Sequence, residues 1–288
     1  MAWTTTQHPR EFLDNAGPFL HARATRNTVM LTVTASLIAH GPSLYGAAAP
    51  LFGWWQEGDA PVSGAFMHTP HYPLYLSGLP EHALAPLADE LVRRRRHVVG
   101  VDGGGGLAGL FAAAWTARRA EDEVVPAQHA RLYRLAALRP PRLRPAGRPA
   151  VMSEHDRDHV ISMLAAFADE VGTWAASTPR IDERLTTRGY TLWYDGCGAP
   201  VAVAGMSRVV GGARRIGPVF TRAEERRKGY GSAVTTAACR NALEAGASEV
   251  LLFTNAEDAA SNRLYRRLGF EPLEERCSLR FRPSRRRG

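Results

Sequence analysis

The hydrophobic positions of this 288-residue chain form two successions of helix-like and strand-like periodicity, one on each side of a proline- and arginine-rich break. Spacings of three and four predict helices over 9–20, 24–39 and 81–95, the last with Leu84, Leu87 and Leu91 on one face. Short apolar runs predict strands at 47–55, 64–68, 74–79, 97–102 and 129–138, and a helix follows the glycines at 103–106 as far as 118. Beyond the break, helices are predicted at 156–171, capped by Ser153 or Asp156, and at 180–188, after Pro179. Strands come next at 190–194, 201–209 and 213–221. A helix at 229–245, a strand at 250–254, a short helix bearing Asn262 and Tyr265 and a last strand at 274–281 complete the order. The strand, helix and strand within 213–254 make a βαβ unit. Its strands should be parallel, its crossover right-handed, and a ligand should lie at the carboxyl ends of the strands. The fold class is α/β (α+β), a mixed central sheet flanked by helices.

The break, Leu138-Arg139-Pro140-Pro141-Arg142-Leu143-Arg144-Pro145-Ala146-Gly147-Arg148-Pro149, favours extended backbone. It suggests an N-terminal domain at 1–138, a linker or crossing strand at 139–149, a C-terminal domain at 150–282 and a basic tail at 283–288. The first half repeats the broad order of the second, which admits a second, degenerate copy of one fold.

The segment with the clearest chemistry is Arg226-Arg227-Lys228-Gly229-Tyr230-Gly231-Ser232, between the strand ending Val219-Phe220-Thr221 and the 229–245 helix. The first N–H groups of a helix have no partner inside it, and the helix dipole adds partial positive charge there. Small residues leave those groups open, and formal cations surround them, so the place suits a phosphate. Arg-x-x-Gly-x-Gly after Val-Phe-Thr resembles the coenzyme A pyrophosphate loop of the GNAT acetyltransferases. Downstream, the strand ending Thr254-Asn255 and the helix Asn262-Arg263-Leu264-Tyr265 with Gly269-Phe270 resemble that family's Asn-x-x-Tyr-x-x-x-Gly-Phe segment. Loop, strand and helix in this order over some fifty residues are specific where the loop alone is weak.

The resemblance implies a GNAT acyl-CoA acyltransferase fold, here as two tandem GNAT-like domains. It also implies acetyl-CoA as co-substrate and transfer of its acetyl group to an amine by direct attack on the thioester. Backbone groups of Val219, Phe220 and Thr221 would align the pantetheine. Arg226, Arg227, Lys228, Gly229, Tyr230, Gly231 and Ser232 would cradle the pyrophosphate, with Asn255 and Asn262 as further coenzyme-binding residues. Tyr265 would be the general acid; the alternative is an aromatic packed on the sheet. Asn262 shares its helix face and could equally cap the helix. The general base is open: the strands carry no glutamate at the right end, and Asp169, Glu170, Asp182, the first half or a water chain remain candidates. Glu224 and Glu225 read as solvated or capping residues. A coenzyme-binding, non-catalytic regulatory module is the alternative function.

Charge and composition add limits. The net charge is +8, and Lys228 is the one lysine among 36 cationic residues, so the arginine content reflects coding bias more than a nucleic-acid surface. Arg93 to Arg96 end a helix, where cations are favourable in any case, and the tail reads as a solvated end. Without a helix-turn-helix or zinc signature, nucleic acid is not the expected partner. Three scattered cysteines and the lack of a leader pattern or long apolar run point to the cytoplasm and away from the membrane. His68 and His71 lack a third ligand, so no metal is expected. Gly104-Gly105-Gly106-Leu107-Ala108-Gly109 fits a dinucleotide loop only loosely and reads as a turn; in a two-copy chain it marks the first copy's coenzyme-loop position, without the Arg-x-x-Gly pattern, so no coenzyme is expected there. The acceptor is a small-molecule or peptide amine, with Trp54, Trp55, Trp174 and Trp193 as candidate pocket walls or core residues. A monomer or homodimer is expected.

Overall fold

The computed structural model describes residues 2–69, 71–172 and 177–283; Trp174 and the arginines of the tail lie outside them. Two compact units are present, and no single cut separates them. Unit 1 takes its described residues from 1–131, 255–257 and 274–288, and unit 2 from 132–254 and 258–273.

Unit 1 contains β1 (Ala2–Thr6), α1 (Pro9–His21), α2 (Thr28–His40), β2 (Leu51–Gln56), β3 (Gly64–His68), β4 (Leu74–Ser77), α3 (Leu84–Arg93), β5 (Gly100–Gly104), α4 (Leu107–Thr116) and most of β6 (Asp122–Leu135). Strands β1 to β4 pair in order, all antiparallel, and β4 then lies parallel to β5. The far side of β5 is taken by β12 (Phe270–Pro283), antiparallel from Arg276↔Gly104 to Arg280↔Gly100. Phe281 of β12 enters this unit's core with Leu87, Leu91, Phe111 and Trp115.

Unit 2 repeats that order with β7 (Arg148–Val151), α5 (Arg157–Val171), α6 (Thr178–Thr186), β8 (Tyr190–Tyr194), β9 (Pro200–Met206), β10 (Ala213–Thr221), α7 (Tyr230–Glu244), all but the last residue of β11 (Glu249–Asn255), and α8 (Ala259–Arg267). Strands β7 to β10 are antiparallel neighbours, and β10 runs parallel to β11, as the βαβ reading requires. Residues 132–135 of β6 follow beside β11. The second half thus gives most of its last strand, β12, to unit 1, and the first half gives the end of β6 to unit 2. The core of unit 2 lies under α7, whose Ala233, Val234, Ala237, Ala238 and Ala242 let the helix approach Met206, Ile216 and Leu252 closely.

Several boundaries differ from the sequence reading. Strand β1 was not anticipated, although Ala-Trp-Thr-Thr-Thr is β-branched and aromatic; Trp3 Nε1 donates to Ala83 O at 2.9 Å. The strand expected at 97–102 begins only at Gly100. The Pro/Arg segment is not a free connector within unit 2. Arg139 N donates to Leu268 O at 2.9 Å, Trp193 Nε1 donates to Ala146 O at 3.0 Å, and Arg148 opens β7. Ser153 and Asp156 act together at the start of α5, Ser153 donating to the Asp156 carboxylate through N at 2.8 Å and Oγ at 2.7 Å.

Candidate functional site

Strands β10 and β11 stay in register only from Ala213↔Glu249 to Ile216↔Leu252. Beyond Ile216 the register of β10 with β9 shifts, and pairing with β9 resumes at Val219, Phe220 and Thr221. Gly217 and Pro218 fill the irregular step; proline has no N–H to give to a ladder. The carboxyl half of β10 therefore keeps β9 on one side while leaving its register with β11 on the other, so the parallel pair splits at its carboxyl end.

The chain leaves β10 at Thr221 and passes through a short turn at Ala223–Glu225 into the cationic loop. Arg227 (φ 65°) and Gly229 (φ 89°) are both left-handed, one on either side of Lys228. Such alternation turns successive N–H groups toward one side and makes an anion-sized concavity. Gly229 is also the residue before α7, and no side chain caps that helix. By contrast, α8 is capped by Asp258, which accepts from Ala260 N at 3.0 Å and Ser261 N at 3.1 Å. Gly231 seats the first turn of α7: a Cβ there would stand 3.5 Å from Thr221 Oγ1 and 3.7 Å from Leu264 Cδ1. Tyr230 is buried and Ser232 half-buried.

Two of the loop cations already have carboxylate partners. Arg226 Nη2 bonds Glu170 Oε2 at 2.5 Å, its Nε donates to Thr221 O at 3.2 Å, and its guanidinium lies 5.6 Å from the Phe220 ring centre. Lys228 Nζ stands 2.9 Å from Glu225 Oε2. Of the other base candidates, Asp182 pairs with Arg157 at 2.8 Å and Asp169 is exposed. Glu249 begins β11, at the opposite end from the split.

Tyr265 is 8% exposed, in a cluster with Tyr133, Tyr230, Cys239 and Leu252, against which Val219 also packs. Its ring meets Phe270 edge-on, and its hydroxyl has no hydrogen-bond partner among the described residues. Burial, reinforced by Asp258 and Cys239, raises its pKa above the ordinary phenol value. Asn262 lies inside α8 and is not its cap; that place belongs to Asp258. Tyr133 donates to Asn262 Oδ1 at 2.7 Å, and Asn262 Nδ2 donates to Asp258 O at 2.6 Å. Tyr133 was missed in the sequence because nothing local marks a partner 129 residues away. Asn255 ends β11, exposed, with Oδ1 accepting from Glu257 N at 3.0 Å.

Unit 1 contains the same parallel pair joined by a helix, β4–α3–β5. The counterpart of the cationic loop is therefore the β4–α3 connection at 78–83, and not the Gly104–Gly106 turn, which corresponds to the β11–α8 junction. That connection runs through a turn at Glu81–Ala83 directly into α3 and has no basic residue except His82. The β4–β5 register ends at Tyr75↔Asp102. Just beyond it, the nearly buried Arg276 donates through Nη2 to Leu76 O at 3.0 Å and through Nε to Asp102 Oδ1 at 2.8 Å, with the Tyr75 ring centre 4.2 Å from its Cζ. The matching split is thus filled by the protein's own guanidinium.

The tryptophans and His68 resolve locally. Trp54, Trp55 and Trp193 are core residues. His68 is buried, its Nδ1 accepting from Arg96 Nε at 2.9 Å. No group of three or more His, Cys, Asp and Glu able to hold a metal is present among the described residues, and no helix among them is long and apolar enough to cross a membrane.

Residues 148–270 match the family model of the acetyltransferase (GNAT) family. No curated protein matches the chain. Among solved structures, a Drosophila protein aligns over 98% of both chains at 13% identity with a TM-score of 0.68. A tandem GNAT protein from the clavulanic acid biosynthesis pathway aligns over 96% of this chain and 97% of its own at 14% identity and TM-score 0.62. A GCN5-related N-acetyltransferase from Sphaerobacter thermophilus covers 80% of this chain and 79% of its own at 15% identity and TM-score 0.57. Likeness at such identities speaks to the fold, and the sequence match carries the family: residues 148–270 are an acetyltransferase domain of the GNAT family, in a chain with the fold of a tandem GNAT protein.

Proposed function

We propose that the protein is an N-acetyltransferase that carries an acetyl group from acetyl-CoA to a small-molecule or peptide amine, through one site in unit 2. The observation that carries this reading is the split of β10 from β11 leading onto an uncapped, glycine-opened helix start ringed by cations. Bound acetyl-CoA would supply an activated acyl thioester. Val219, Phe220 and Thr221 offer the strand edge for its pantetheine arm, and Arg226 to Ser232 offer N–H groups and charge for its phosphates. Asn262 and Asn255 are the polar side chains included in the same reading. Metal chemistry has no part in it, and the cytoplasm is the compartment it fits. Monomer and homodimer both suit it.

Tyr265 is the proton donor of the proposal. Raised acid strength is not what burial gives it; burial keeps it protonated at neutral pH with its hydroxyl uncommitted to any described residue. A thiolate in the same dry surroundings is also raised, so the transfer need not be far uphill. Tyr265→Phe should lower turnover at least tenfold while coenzyme affinity and thermal stability stay nearly unchanged, since no hydrogen bond is lost. Acetylation of an amine panel, followed through free thiol release, reads this directly. Full turnover in the variant would remove Tyr265 from the chemistry.

A non-catalytic coenzyme-binding module is favoured by one feature: Glu170, Glu225 and Asp182 each hold a cation. Coenzyme binding without turnover across the amine panel would select it.

A further inference from the structure

The Pro/Arg segment before β7 lies against the cationic loop. Pro145 Cδ is 3.8 Å from where a Cβ on Gly229 would stand. The segment is held there by several contacts. Trp193 Nε1 donates to Ala146 O at 3.0 Å, and the Arg148 guanidinium lies 5.4 Å from the Tyr194 ring centre. Gly147 (φ 98°) passes so close to β8 that a Cβ would fall 1.9 Å from Tyr194 O. Next to Pro145, Arg144 lays its guanidinium over Trp193, 5.1 Å from the ring centre, and Trp193 shares a core cluster with Tyr230 and Ala233 at the start of α7.

Two features make this arrangement suggestive. A cation near a helix N-terminus is placed against the dipole and calls for an anion. A guanidinium stacked by its face keeps its N–H edges for in-plane acceptors, and among the described residues those of Arg144 have none. Arg226 and Lys228, two of the three cations of the loop itself, are by contrast engaged by Glu170 and Glu225. Asp195 is the acidic group on the β8 side, and its Oδ1 already accepts from Cys197 N at 2.9 Å and Ala199 N at 2.8 Å.

We propose that this segment is a wall of the coenzyme site and that Arg144 binds a phosphate of coenzyme A, making it a specificity residue outside the family's loop. The inference rests on the coenzyme reading above. The pyrophosphate and the ribose 3′-phosphate share the chemistry Arg144 would recognise, and the ligands of the test tell them apart.

Coenzyme A and 3′-dephospho-coenzyme A are titrated calorimetrically into the full chain and into Arg144→Gln and Arg144→Lys, with thermal midpoints recorded for each. Arg144→Gln should weaken coenzyme A by about tenfold, the worth of one charge-assisted hydrogen bond, at an unchanged midpoint. Arg144→Lys should keep most of the affinity. A loss seen with coenzyme A alone assigns Arg144 to the 3′-phosphate, and an equal loss with both ligands assigns it to the pyrophosphate. Wild-type affinity of Arg144→Gln for both ligands would overturn the inference and leave the coenzyme reading standing. No binding of either ligand to the wild-type chain would remove both.

Discussion

Single residues in this protein do work that their local sequence half announces. Gly229 and the cations around it are legible because the chemistry needs neighbours in the chain: small residues and charge at one helix start. Tyr265 and Asn262 are legible as a spaced pair, but their surroundings are not. The Tyr133 hydroxyl on Asn262 and the Glu170 carboxylate on Arg226 join residues 129 and 56 positions apart, and no periodicity reports such pairings. Asp258 was a readable signal passed over, an acidic cap four residues before Asn262. His68 makes a test at this scale. Burial, aided by Arg96 and His97, pushes its pKa down to about 3, whereas in the unfolded chain it lies near 6.5. The unfolded state takes up a proton below that value and the folded state refuses it, so stability is unaffected above pH 6.5 and falls as the pH drops from there toward 3. By pH 4 this amounts to about 3 kcal/mol. His68→Gln should therefore lose less thermal midpoint between pH 7 and pH 4.5 than the wild type does. An equal loss in both would contradict the assignment.

Elements were read more reliably than their partners. The β10–α7–β11 unit follows from a strand period, a glycine-opened helix and a second apolar run, and its parallel pairing from the connection alone. The place of β12 did not follow: an apolar–polar strand at the end of the chain fits either unit, and only three-dimensional pairing decides. In unit 1 it pairs with β5 and brings Arg276 to Asp102 and Leu76 O. Ending the chain at Leu273 should therefore destabilise the N-terminal half most, despite the distance in sequence. Hydrogen exchange at amides of β4 and β5 checks this; protection in the shortened chain equal to the full one would show that β12 is dispensable to unit 1.

The whole molecule reads as one fold used twice and one site used once. The repeated element order was visible as two similar successions of periodicity, but the equivalence of particular segments was not. The four glycines at 103–106 drew attention as a loop, while the true counterpart of the cationic loop, at 78–83, has no signature because it has neither the loop's arginines and lysine nor its Gly-x-Gly. The two splits then differ in content. In unit 2 the split opens toward an uncapped helix, and in unit 1 Arg276 fills it. The account therefore expects one coenzyme per chain, in the family-matched half. The most direct measurement is a calorimetric titration of acetyl-CoA into the full chain and into Gly229→Glu, which sets a carboxylate at a left-handed position beside the phosphates' place. Micromolar binding with a stoichiometry near one, lost in the variant, is the expected result. A native chain that is folded yet binds no acetyl-CoA, or that binds two equivalents, would contradict the account.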